Sequence, residues 1–198
     1  MGENPDERGS RVGHVRIEAA LFFPELADPG TLFGFDSGHD LVDVGLVAAS
    51  VVALGKVILV DAGPDIRNQL LPLGLKRIDA LLITHTHSDH VAGLDDLRAF
   101  YWPDRIDIPV YATKQHSIDI LARFPYLFTK HSESPSYFVP PMKMNLIAAN
   151  DILEIGGCKI EIFHQDHGNT SSLGFLFDGK FGYSTDVVGM GDDVFDRL

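Results

Sequence analysis

The chain has 198 residues, 45% of them hydrophobic, and a formal charge of −12 from 16 Lys and Arg against 28 Asp and Glu. That length suffices for one sizeable core and leaves little room for a second, so a single domain over residues 15–198 behind a disordered stretch 1–14 is the expectation. The acidic balance argues against a general grip on nucleic-acid backbones, the lone Cys158 excludes an internal disulfide framework and suits a reducing cytoplasm, and no apolar run reaches the roughly 18–20 residues that span a bilayer.

In chain order, residues 15–23 read as a first strand, and 47–54 and 56–61 as two strands joined at Gly55. Residues 65–73 read as a short helix, and the apolar run 78–83 has the length and composition of a buried strand. Val91, Leu94, Leu97 and Phe100 fall at helical spacing, predicting a helix over 91–101 that Trp102-Pro103 ends. A strand at 108–112, an amphipathic helix at 114–124 and a Pro-rich irregular stretch 124–141 follow. The remainder is mostly strand, at 144–148, 152–155, 159–163, 173–177 and 180–184, with Asp178-Gly179 a strong hairpin signal between the last two. Cys158 reads as a small apolar residue of the strand it opens.

The chemistry concentrates in His85-Thr86-His87-Ser88-Asp89-His90, directly after the strand at 78–83. On an extended segment alternate side chains share a face, so His85, His87 and Asp89 converge while His90 starts the next turn from another direction. That arrangement suits two adjacent metals better than one. Imidazole nitrogen and carboxylate oxygen are ligands for Zn, Mn or Fe, and no thiolate is at hand to close a structural zinc site. His14, His39, His116 and His131 lack partner ligands at metal spacing and read as solvated or core residues, with His131 the best placed of them for a substrate contact.

His85-Thr86-His87-Ser88-Asp89-His90 resembles the H-x-H-x-D-H signature of the metallo-β-lactamase superfamily. Its continuation through Gly93-Leu94-Asp95-Asp96-Leu97-Arg98 resembles the branch that holds phosphoribosyl cyclic phosphodiesterases and, nearby, ribonuclease Z. Leu59-Val60-Asp61-Ala62-Gly63-Pro64-Asp65-Ile66-Arg67 is similar to that branch's strand ending in D-x-G-P-D-x-R, and His167-Gly168 and Ser184-Thr185-Asp186 look like its separate metal-binding His and bridging Asp. The resemblance implies an αββα sandwich. It also implies two divalent ions, Zn or Mn with Fe possible, one held by His85, His87 and His167, the other by Asp89 and His90, with Asp186 shared. His167 is preferred to His164 because the family's ligand immediately precedes a Gly. His164 then becomes a strand-end residue or a hydrogen-bond donor near the ligands, Asp166 an acceptor for an imidazole N–H, and Asp61 an anchor for the loop beneath the metals. Asp95, Asp96 and Arg98 read as a helix-start charge pattern and a structural ion pair.

The expected chemistry is hydrolysis of a small cyclic or nucleotide-like phosphodiester by a metal-activated hydroxide, with Asp89 orienting that hydroxide. Ribonuclease Z-like RNA processing, thioester hydrolysis of the glyoxalase II kind and a non-catalytic metal-binding protein are the alternatives. The expected partners are the small-molecule substrate and, as a homodimer, a second copy, with neither nucleic acid nor membrane. Three features depart from the family. No histidine follows Asp186 before Leu198, so the expectation is a truncated C-terminal part or a second metal site completed by water or a partner chain. Phe22-Phe23-Pro24-Glu25-Leu26 replaces a Gly- and Ser-rich first turn, and the cysteines of an extra zinc site are absent.

Overall fold

A computed structural model of the protein describes the strands β1 (Phe33–Phe35), β2 (Leu41–Asp43) and β3 (Ala49–Ala53), then residues 55–191 apart from Tyr137, and Val194. The strand expected at residues 15–23 lies outside the described residues. β4 (Lys56–Val60) pairs antiparallel with β3, and Gly55 at φ 77 occupies the turn between them. α1 (Ile66–Leu70) runs into a 3-10 turn, Leu71–Leu73, and Gly74 at φ 59 stops it in the left-handed conformation that costs glycine least. β5 (Ala80–Leu82) is buried at every position.

The helix expected over 91–101 is instead two short ones, α2 (Ser88–Val91) and α3 (Leu94–Leu97), followed by a 3-10 turn Arg98–Phe100. The break has a packing cause. Gly93 N–H donates to Ala62 O at 2.8 Å, and a Cβ at Gly93 would lie 2.1 Å from Gly63 O and 2.5 Å from Ile66 Cγ2. The chain at Gly93 thus lies against the loop after β4 more closely than any side chain allows. Arg98 does pair with Asp95, at 3.6 Å.

β6 (Ile108–Ala112) leads to α4 (Lys114–Arg123), whose first turn is capped by Thr113 Oγ1 accepting from His116 N–H at 3.1 Å. The stretch expected to be irregular contains α5 (Pro125–Phe128), with proline at its first position, where a missing N–H costs nothing. β7 (Met142–Leu146), β8 (Ile152–Ile155), β9 (Cys158–His167), β10 (Thr170–Phe177) and β11 (Phe181–Ser184) complete the described elements. β9 runs beyond the expected 159–163 because its polar end stays in register with β10 through the pair His167–Thr170, turning at Gly168, φ 70. The Asp178-Gly179 turn has φ 50 and 64, as its hairpin signal requires.

The described strands form a five-stranded sheet, β3-β4-β5-β6-β7, parallel except for β3, and a six-stranded antiparallel sheet, β2-β1-β11-β10-β9-β8. β4 and β5 are apolar on both faces, as strands covered on both sides must be. Ile58, Val60 and Leu82 pack inward against Ile160, Phe175 and Tyr183 of the second sheet, while Leu59, Leu81 and Val110 pack outward against Ile66, Leu94, Leu97 and Ile120 of the helices. The outer face of the six-stranded sheet carries a smaller cluster of Phe163, Leu176 and Val194 with Met190. Cys158 is buried in the inter-sheet core, and burial, with the nearby Asp178, lifts its thiol pKa to about 11. Leu173 N–H donates to Thr84 O at 3.0 Å, joining the two sheets where β5 ends.

Gly93→Ala forces its methyl into backbone, so it should lower stability by about 1–3 kcal/mol, the usual cost of overpacking. Gly189→Ala, where an added Cβ meets nothing within 4 Å, should leave the urea midpoint of unfolding unchanged.

Candidate metal centre

The site lies at the C-terminal ends of β4 and β5, where open parallel sheets place their ligands. The extended alternation predicted for the cluster holds only through His87, whose φ −62 and ψ 153 precede the first helical residue. Asp89 and His90 belong to the first turn of α2. Helical rotation carries His90 back beneath His85, with ring centroids 4.1 Å apart, and leaves the Asp89 side chain 63% exposed, its Oδ2 3.6 Å from His90 Nε2. Asp89 therefore stands at the rim and does not share a face with His85 and His87.

Two sets of ligand atoms lie within 4.8 Å of one another, His85 with His87 and His167, and His85 with His90 and Asp186. His85 belongs to both. His167 Nε2 is 3.2 Å from His87 Nδ1 at the end of β9, whereas His164, three positions earlier and so on the other face of the strand, is exposed. His90 Nε2 is 2.6 Å and His85 Nε2 3.7 Å from Asp186 Oδ2. Asp166 does not reach an imidazole, because its Oδ1 accepts from Gly168 N–H at 2.9 Å and so braces the hairpin turn.

Asp61 organises the cluster without facing it. Fully buried, its carboxylate accepts from Thr84 N–H at 2.8 Å, Thr84 Oγ1–H at 2.7 Å and His90 Nδ1–H at 2.8 Å. A carboxylate only accepts, so the Thr84 hydroxyl spends its proton on Asp61 and keeps a lone pair for His85 Nδ1, 3.0 Å away. His85 thus carries its proton on Nδ1 and presents a bare Nε2 to Asp186 and the other imidazoles. Both Asp61 (φ 60) and Asp186 (φ 52) adopt left-handed backbone, which Asp tolerates better than most residues and which concentrates at functional sites.

The electrostatics favour a cation. Burial, then repulsion from His90 and His87, lowers the His85 pKa to about 3, so that ring stays neutral. Burial also works against charge on His90, but its bonds to Asp186 and Asp61 outweigh that and lift its pKa to about 10. His90 in turn holds Asp186 below the ordinary carboxylate range, while burial pushes Asp61 up against the opposing pull of His90 and Thr84. His85 Nε2 is buried with no hydrogen-bond partner, and a lone pair so placed is costly unless something binds it. Imidazoles and a carboxylate converging around it, without thiolate, fit divalent Zn, Mn or Fe.

The profile of the Beta-lactamase superfamily domain matches residues 56–198. The chain belongs to the metallo-β-lactamase superfamily. It is 35% identical over 133 residues to an octanoyltransferase of Porphyromonas gingivalis, covering 67% of this chain and 26% of that protein. It is 30% identical over 133 residues to a ribonuclease Z of Bradyrhizobium diazoefficiens, covering 66% and 43%. Among solved structures, a diphosphatase of the PhnP family superposes with a TM-score of 0.64 at 28% identity, covering 76% of this chain and 55% of that one. The chain thus spans less than half of either of these curated relatives. The two-sheet sandwich with parallel and antiparallel strands is the superfamily's fold.

The signature gives no role to Thr84, Thr86, Asp119 or Arg123, and only the spacing of 119 and 123 along one helix could have marked the last two. His116, read as a solvated or core residue, is buried. Among the described residues, no helix is long and apolar enough to cross a membrane.

The Asp61–His90–Asp186 chain makes a testable contribution to stability. A folded-state pKa of about 10 lies above the ordinary 6.5, so the stabilisation from protonated His90 is complete below pH 6.5 and is lost as pH rises towards 10. Urea denaturation of chelator-treated protein should show stability falling between pH 7 and 10, and Asp186→Asn should flatten that fall. An identical slope in the variant would show that His90 draws nothing from Asp186.

Proposed function

We propose that the chain is a metal-dependent hydrolase that cleaves a small cyclic or nucleotide-like phosphodiester. The convergence of His85 with His87 and His167 on one side, and with His90 and Asp186 on the other, carries this reading. In it the first three residues hold one divalent ion, His90 holds a second, Asp186 is shared, and Zn or Mn is the metal. Two such ions, when bound, supply a water of lowered pKa and neutralise charge developing on a phosphoryl oxygen. Thr84 and Asp61 keep the His85 and His90 tautomers in the ligand-competent form. In this reading Asp89, exposed beside His90, orients the attacking water and takes up its proton, a role worth about 10²–10⁴-fold.

The likeness to a diphosphatase of the PhnP family supports a phosphoryl substrate, and the charge of −12 favours a small one over RNA. Ribonuclease Z-like RNA processing is the second reading, favoured by the 30% identity to the Bradyrhizobium enzyme.

Purified protein loaded with Zn or Mn should hydrolyse bis(p-nitrophenyl) phosphate. His87→Ala or His167→Ala should abolish both metal binding and turnover, and His164→Ala should keep its metal. Asp89→Asn should retain most of the metal while losing about 10²-fold or more in rate. Metal-loaded protein inert towards every phosphodiester would overturn the phosphodiesterase reading. Comparison of a 2′,3′-cyclic nucleotide with a precursor tRNA separates the two substrate classes, and faster cleavage of the tRNA would favour the second.

A further inference from the structure

Thr86 sits between two imidazoles of the cluster, so alternation turns its side chain away from them. It meets α4 there. Thr86 Oγ1 donates to Asp119 Oδ2 at 3.1 Å, and the Arg123 guanidinium donates to Thr86 O. Asp119 and Arg123 are four residues apart and therefore adjacent on one face of the helix. One holds the hydroxyl of Thr86 and the other its carbonyl, so rotation of the 86–87 peptide would break the Arg123 bond and a turn of the Thr86 side chain the Asp119 bond. His116, one turn earlier on the same face, is buried with Nδ1 unpartnered and feels the charges of Asp119, Asp61 and His87. α4 itself is anchored through Thr113 at its cap and through Ile120 in the outer core. The helix is thus a rigid bar laid along the back of the loop that carries His85 and His87.

We propose that Asp119 and Arg123 are positioning residues for the metal centre. Through Thr86 they set the separation of His85 and His87, and so the affinity and geometry of the site these two form with His167. The inference rests on the metal-binding reading above. Nothing else described holds the 85–87 loop from this side at its central residue. His90 and Asp186 are braced separately, by Asp61 and by β11, so the device should act on one metal position in preference to the other.

Zinc affinity measured by competition with a chelating dye, together with the visible spectrum of the Co(II)-substituted protein, tests this. Thr86→Val removes the hydroxyl at constant shape, and Asp119→Ala removes its acceptor. Each should weaken the tighter zinc site by about 10–100-fold, the usual effect of losing a group that orients a ligand, and shift the Co(II) bands. The double variant should bind no more weakly than the weaker single one, because both remove the same bond. Asp119→Asn, which keeps an acceptor oxygen, should recover most of the affinity, and it carries the test with Thr86→Val if Asp119→Ala does not fold. The metal-free unfolding midpoint of Thr86→Val should stay that of the parent protein. Wild-type zinc affinity and spectrum in both Thr86→Val and Asp119→Ala, in protein whose His87→Ala variant loses zinc, would overturn the inference alone. So would losses that simply multiply in the double variant. A parent protein that binds neither Zn nor Co would instead overturn the metal reading on which it stands.

Discussion

The buried carboxylate of Asp61 is the constraint on which the rest of the site depends. Burying it is expensive unless both oxygens are hydrogen-bonded, and three donors from two later segments, Thr84 and His90, supply those bonds. Those bonds tie the end of β4 to the end of β5 and to α2, and backbone bonds from Asp61 N–H to Leu82 O and from Ala62 N–H to His90 O, at 2.8 and 2.7 Å, repeat the tie. Because a carboxylate accepts and never donates, the same contacts place a proton on Nδ1 of both His85 and His90 and leave Nε2 of His85 bare. One side chain therefore decides both the architecture of the loops and the protonation of the cluster they carry.

The second sheet brings the remaining donors. β9 and β10 meet at a tight turn after His167, β11 ends two residues before Asp186, and Leu173 locks β10 onto Thr84. Beneath this end of the sheet, Gln165 donates to Ser184 across the intervening β10. The site is thus a seam between two sheets, each rigid through its own ladder, and its donors are held to the accuracy of sheet packing. Gly93 and Gly174 show how tight that packing is. A methyl at the first would strike backbone, and the ring of Phe163 already lies over the second at 2.1 Å from where a Cβ would be.

Much of this was legible in the chain. The apolar runs that became β4, β5 and β6 read as strands, Asp178-Gly179 signalled a hairpin, and six donors of the right chemical type pointed to a metal site. What local pattern could not carry was direction. An alternating cluster reads as extended until a helix starts at Ser88, and it is that helix which sends His90 inward and Asp89 to the rim. Asp166 looked like a partner for an imidazole, yet the positive φ of Gly168 creates a nearer donor in the turn. β9 outran its apolar core because ladder hydrogen bonds to β10 hold polar residues as firmly as apolar ones.

The sequence by itself determined donor types, strand identities and family, since these depend on residue chemistry and on periods of two or four residues. Tertiary structure alone decided which donors meet. His87 and His167 lie 80 residues apart and end 3.2 Å from each other, and Thr86 finds Asp119 across 33. Such distances follow from how two sheets and a helix pack, a property of summed buried surface that no short window of residues contains.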